Sequence, residues 1–138
     1  MLSMLLFAAT CSAYAAEPAQ LRVRTLVLAP KVAFDPDTRA WLDNKPTVRV
    51  AFWGVAQPPL HAGYEPDVFE GITADVLGLL QQTMGVPFET LRYGNRPEAL
   101  QAMVRGEVDM LGLNDVSQTD SQTLPTTPYL LNRQVIVR

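Results

Sequence analysis

The sequence runs to 138 residues, 48% hydrophobic and 18% charged, with 11 basic and 14 acidic side chains and a net charge of −3. That length suits one domain, and the hydrophobic share excludes a disordered chain, which buries too little apolar surface to offset the entropy of ordering. Charges of both signs are scattered, which argues against nucleic-acid binding, since the phosphate backbone demands a basic patch.

Met1–Ala15, "MLSMLLFAATCSAYA", is apolar and uncharged, and Ala13-Tyr14-Ala15 supplies the small-x-small cleavage pattern of a secretory signal. Export with cleavage after Ala15 is therefore expected, with a buried N-terminal helix as the alternative, because no Lys or Arg precedes the apolar run. Cys11 is the sole cysteine, and Thr10 before it is a poor fit to lipidation. Cleavage after Ala15 leaves no thiol, which excludes disulfides and thiol catalysis. Neither this stretch nor any later one is long enough to span a membrane as a helix.

Residues 16–46 read as a lead-in. Glu17–Gln20 is polar, and "LRVRTLVLAP", Leu21–Pro30, alternates loosely enough to predict an edge strand that Pro30 terminates. Asp37 is expected to cap a short helix from Thr38 to about Asn44, which Pro46 stops. Val48, Val50 and Phe52 then alternate with Arg49 and Ala51, a strand over Thr47–Phe52 that breaks at Trp53-Gly54 and is barred from continuing by Pro58-Pro59. After a long loop, Ile72, Val76, Leu77, Leu80 and Met84 recur at helical spacing, with Gly85 placed as a left-handed cap and Pro87 beyond it. "VPFETLRY" is a second strand. Asn95 with Pro97 starts a helix carrying Leu100, Met103 and Val104, Gly106 ends it, and "VDMLGL" is a third strand.

Strand–helix–strand–helix–strand with short connections predicts an α/β fold, a parallel sheet covered by helices. Ligands of such sheets sit beyond the carboxyl ends of the strands. Trp53-Gly54 and Gly112–Asp115 are therefore expected to emerge side by side on one rim.

Four stretches taken in order resemble the periplasmic solute-binding proteins of family 3, the Venus flytrap modules. "TVRVAFWGVAQPPL" matches the first strand and its Pro-Pro turn, and "FEGITADVLGLLQQTMGVPFE" the Gly–apolar–x–x–Asp helix and following strand. "PEALQAMVRGEVDMLGLN" matches the helix and GE–apolar–D strand, and "TTPYLLNRQVIVR" the Thr-x-Pro-Tyr segment. The "RAWL" helix and the proline before the first strand are similar to the flytrap domains of BvgS-type sensor kinases. The resemblance implies that residues 47–138 form most of a first lobe. The second lobe and the strand returning to the first lie outside the sequence, as in a fragment of a longer product or a remnant.

Site residues follow from placement and from the resemblance. Trp53 at the strand end would stack on a flat or cationic ligand, or pack beneath the loop. Phe69 occupies the family's aromatic position at the helix entry, where packing is the competing role. Gly71 opens the helix, whose free N–H groups receive anions unless the glycine serves only a sharp turn. Asp75 suits the helix dipole. Asn114 and Asp115, with Ser117 and Thr119 as weaker versions, would hydrogen-bond a polar solute or serve turn chemistry. Amino-acid-binding members carry an arginine clamp for the α-carboxylate before the Pro-Tyr segment. Here "NDVSQTDSQTLPTT" contains no Arg or Lys, and Arg133 lies beyond it, so a standard amino acid held in that mode is disfavoured.

His61, the only histidine, has no Cys or second His to complete a metal or acid–base site. Asp67, Glu70 and Glu65 read as a solvated acidic loop. No catalytic constellation, metal site or cofactor motif is present in the sequence. The expected function is a non-enzymatic periplasmic lobe sensing a small polar solute in a BvgS-like kinase. Its partners would be a second lobe and a kinase or permease outside this chain. An importer's solute-binding subunit is the alternative, and the N-terminal module of a lytic transglycosylase a weaker one, since no catalytic glutamate domain is present.

Overall fold

A computed structural model describes residues 16–25, 28–61, 65, 67–113 and 123–130. The order along the chain is β1 (Glu17–Arg22), α1 (Pro36–Asp43), β2 (Val48–Trp53), β3 (Val68–Glu70), α2 (Ile72–Met84), β4 (Phe88–Tyr93), α3 (Arg96–Val104) and β5 (Met110–Leu111). The strands form one five-stranded sheet in the order β3-β1-β4-β2-β5. β2 lies parallel to both β4 and β5, the arrangement that short right-handed crossovers dictate.

β2 is buried on both faces although Arg49 interrupts its apolar run, because it lies inside a sheet with helices packed on it. Val48, Val50 and Phe52 face a core with Leu42 of α1, Phe69 of β3, and Ala74 and Leu77 of α2. Ala51 faces the opposite core with Tyr93, Ala99, Ala102 and Val108, against which Trp53 packs partly buried. α2 spans the residues its apolar spacing predicts and ends at Gly85, which adopts φ +71°. α3 begins with a reciprocal box: Asn95 Oδ1 accepts from Glu98 N–H at 3.0 Å, while Glu98 Oε2 accepts from Gly94 N–H at 3.1 Å.

The Gly106–Asp109 motif has a structural reason. Asp109 N–H donates to Arg49 O at 2.8 Å, and its carboxylate accepts from Arg49 N–H at 2.8 Å and from Lys45 Nζ at 2.6 Å. One side chain thus fixes the start of β5 against β2. Asp109→Ala is expected to cost about 1–2 kcal/mol in urea unfolding, and Asp109→Asn less, because the amide oxygen still accepts from the backbone. Equal losses in the two variants would contradict this.

Several expectations are corrected. The N-terminal strand is Glu17–Arg22 rather than Leu21–Pro30, and it pairs antiparallel with β4 and parallel with β3, so the sheet is mixed. Thr90 Oγ1 donates to Ala19 O at 2.5 Å and Gln20 N–H to Asp67 O at 2.6 Å, contacts that hold this register. Val23 leaves the sheet and presses on Gly78 of α2, where an added Cβ would collide with it. α1 starts at Pro36 and is capped by Asp35, not Asp37, because proline fits the first helical turn and Asp35 holds the extended backbone of a cap. β3 falls where a loop was expected, and β5 keeps only Met110–Leu111 of "VDMLGL". Glu70 is not solvated. It is buried, accepting from Arg24 at 2.7 Å with Arg22 at 3.6 Å.

Candidate functional site

Parallel pairing sets Val50 beside Met110 and Ala51 beside Leu111, and Gly112 N–H donates to Ala51 O at 2.8 Å. The carboxyl ends of β2 and β5 are therefore neighbours, with Trp53-Gly54 leaving one and Gly112-Leu113 the other. β4 ends on the same side, Tyr93 opposite Trp53. Trp53 is partly exposed at this edge. Asn114 and Asp115, with Ser117 and Thr119, lie outside the described residues, as do Met1–Ala15 and Arg133.

Phe69 is elsewhere than on a surface. It is fully buried, its ring 4.4 Å from Phe52 and 4.9 Å from His61 between centroids. β3 turns it inward, against Phe52 and His61. Gly71 adopts φ +112°, and a Cβ there would stand 2.6 Å from Leu60 O and 2.9 Å from Pro59 O. Those carbonyls accept from Thr73 N–H at 3.1 Å and Ile72 N–H at 3.0 Å. The helix terminus expected to receive an anion is thus capped by the Pro-Pro turn, whose Pro58-Pro59 bond is cis. Glycine is required there for close backbone approach.

Asp75 reaches across the chain instead of serving its own helix alone. Its Oδ1 accepts from the N–H groups of Arg24 at 2.7 Å and Thr25 at 3.1 Å. Slight burial pushes this carboxyl up, but the bonds from Thr25 and Arg24 outweigh it and hold it below the ordinary range. At the other end of the chain, Tyr129 of the Thr-x-Pro-Tyr segment hydrogen-bonds Thr73 at 2.7 Å, which brings 123–130 to the first turn of α2.

Among the described residues, two hollows open near the edge with linings that do not include Trp53, Phe69 or Gly71. One, of about 390 Å³, lies among Glu17, Gly54, Val55, Arg92, Tyr93, Gly94 and Glu98. A pocket of about 20 Å³ lies among Phe52, Gly54, Ala56, His61, Glu65, Val68 and Arg92. Tyr93 is buried against Ala99, Ala102 and Val108, and burial, followed by the charge of Glu107, raises its hydroxyl above the usual value. Arg92 and Tyr93 were not singled out in the sequence, although their place at the end of an alternating strand before Gly94-Asn95 is the signal that locates them. Among the described residues no cluster of side chains fits a metal ion.

No family model matches the chain. The virulence sensor protein BvgS of Bordetella pertussis is 31% identical over 108 residues, which cover 78% of this chain and 9% of BvgS. The crystal structure of the B. pertussis BvgS periplasmic domain matches with a TM-score of 0.64 at 28% identity, over 69% of this chain and 18% of that one. The chain is homologous to the BvgS periplasmic Venus flytrap domain.

BvgS of Bordetella bronchiseptica is 29% identical over the same number of residues. The crystal structure of the B. pertussis BvgS periplasmic VFT2 domain matches at a TM-score of 0.52 and 31% identity, over 58% of this chain and 34% of that one. The chain thus spans 9% of the length of the BvgS relatives it matches, and the likeness is to a periplasmic sensor domain rather than to a catalytic one. The mixed sheet flanked by helices is part of a BvgS-type flytrap lobe. No helix among the described residues is long and apolar enough to cross a membrane.

Proposed function

We propose that this chain is the first-lobe portion of a periplasmic sensory module that reports a small polar solute to a BvgS-like kinase, its export directed by Met1–Ala15. The observation that carries the reading is the side-by-side ending of β2 and β5, which supplies half of a cleft rim. Trp53 offers a flat face for stacking, and Asn114 and Asp115, two and three residues past Gly112, offer groups for a hydroxyl- or amine-bearing solute. Phe69 and Gly71 contribute by holding the rim's shape. Solute gripped between this lobe and a second one favours the closed arrangement, and that bias is what a kinase reads. A sensor is favoured over an importer's binding subunit because the matched relatives are sensor proteins.

The test uses a receptor carrying this segment with its second lobe and kinase. Trp53→Ala is expected to raise the solute concentration for half-maximal output about tenfold or more, the size of a contact residue's effect, while Trp41→Ala on exposed α1 leaves it unchanged. An unaltered response in Trp53→Ala would remove the rim from the site. The lobe alone offers half a site, so millimolar amino acids should leave its melting temperature where it was. A rise of several degrees would instead mean a complete binding site in this chain.

A further inference from the structure

His61 closes the turn that caps α2. Gln57 and His61 pair across it, Gln57 N–H donating to His61 O at 2.7 Å and His61 N–H to Gln57 O at 3.0 Å. Between them, Pro59 and Leu60 present the carbonyls that satisfy the first N–H groups of α2. The imidazole is 3% exposed, edge-on to Phe52 at 5.3 Å and tilted against Phe69 at 4.9 Å, and its buried Nδ1 has no hydrogen-bond partner among the described residues. A neutral ring tolerates two phenyl neighbours. An imidazolium there would be a desolvated charge with no acceptor for one of its two N–H groups.

Among the described residues, the charges around the ring do not rescue it. Arg92 of β4 lines the same small pocket, and Glu65 before β3 is largely exposed and paired with Arg22. Glu70 of β3 is engaged by Arg24 and Arg22, and Asp75 of α2 by the N–H groups of Arg24 and Thr25. Burial first, and then Arg92, lower the imidazole pKa below 6.5.

We propose that His61 is a proton-sensitive latch: neutral, it seats the Gln57–His61 turn on Phe52 and Phe69 and keeps α2 capped, and protonated, it releases that turn together with the Gly54 end of the rim. The sign follows from linkage. Well above pH 6.5 the ring is neutral in both closed and open states and costs nothing. As the pH falls below 6.5, the open state takes up a proton that the closed state refuses, so closure weakens until the pH passes the lower, closed-state pKa.

The experiment exploits the chain's single histidine, whose Cε1–H resonance titrates without overlap. Its midpoint is expected below 6.5. In hydrogen exchange, acidification from about pH 7 to about pH 5 should reduce protection of Gln57–His61 and of the Ile72 and Thr73 amides roughly tenfold beyond the intrinsic rate change, in step with that titration. His61→Phe should stay protected at both pH values. A midpoint at or above 6.5, protection that does not follow the titration, or an equal loss in His61→Phe would each overturn the latch. If His61→Phe does not fold, the first two measurements on the unmodified chain decide the matter alone.

Discussion

Gly71→Ala should lower the unfolding free energy by about 3 kcal/mol or more, because two separate costs fall on one methyl group. The backbone at φ +112° is one that side chains rarely adopt, and the added Cβ would stand 2.6 Å from Leu60 O. Neither can relax without separating the Pro59 and Leu60 carbonyls from Ile72 and Thr73, which uncaps α2. Gly85 is the control. It also has positive φ, +71°, but nothing lies within 4 Å of its missing Cβ, so Gly85→Ala carries only the backbone strain, about 1 kcal/mol. Urea unfolding of the two variants separates these terms. Equal losses would mean that the turn does not lean on Gly71.

The second large effect belongs to Phe69→Ala, expected at about 3–5 kcal/mol, the range for deleting a buried ring and leaving a cavity. Phe69 joins β3 to β2 through Phe52 and to the capping turn through His61, so its loss loosens three elements at once. Phe69→Leu keeps most of the volume and should cost about 1 kcal/mol. The family's aromatic position invites a ligand role for this residue, but its burial assigns the effect to stability. Near-native stability in Phe69→Ala with an altered solute response would restore the ligand reading.

The rim and the helix cap differ in how far local sequence dictates them. Parallel neighbours β2 and β5 follow from chain order, since two short crossovers leave little freedom of placement. The cap does not, because the carbonyls over Ile72 and Thr73 come from a turn whose docking depends on Phe52, His61 and Phe69 meeting in the core. Glycine before a helix is compatible with anion capture or with a tight backbone contact, and only the position of Leu60 distinguishes them. Asp75 teaches the same lesson. Its place in a first turn suggested the dipole, while its partners Arg24 and Thr25 lie fifty residues or more away in the chain.

By itself the sequence determined α2 from Ile72 to Met84, its Gly85 end, the Asn95 cap and the existence of β2, all signals carried by residues within a turn or a strand of one another. Tertiary structure alone decided that β1 enters between β3 and β4, that Glu70 and Phe69 face inward, and that the α2 terminus is closed by backbone carbonyls. The reason is that a strand's partner, a carboxylate's cation and a helix's distant cap are chosen by which buried surfaces and polar groups meet in space. Local pattern fixes a segment's period and its ends, and long-range satisfaction of apolar area and hydrogen bonds fixes its neighbours.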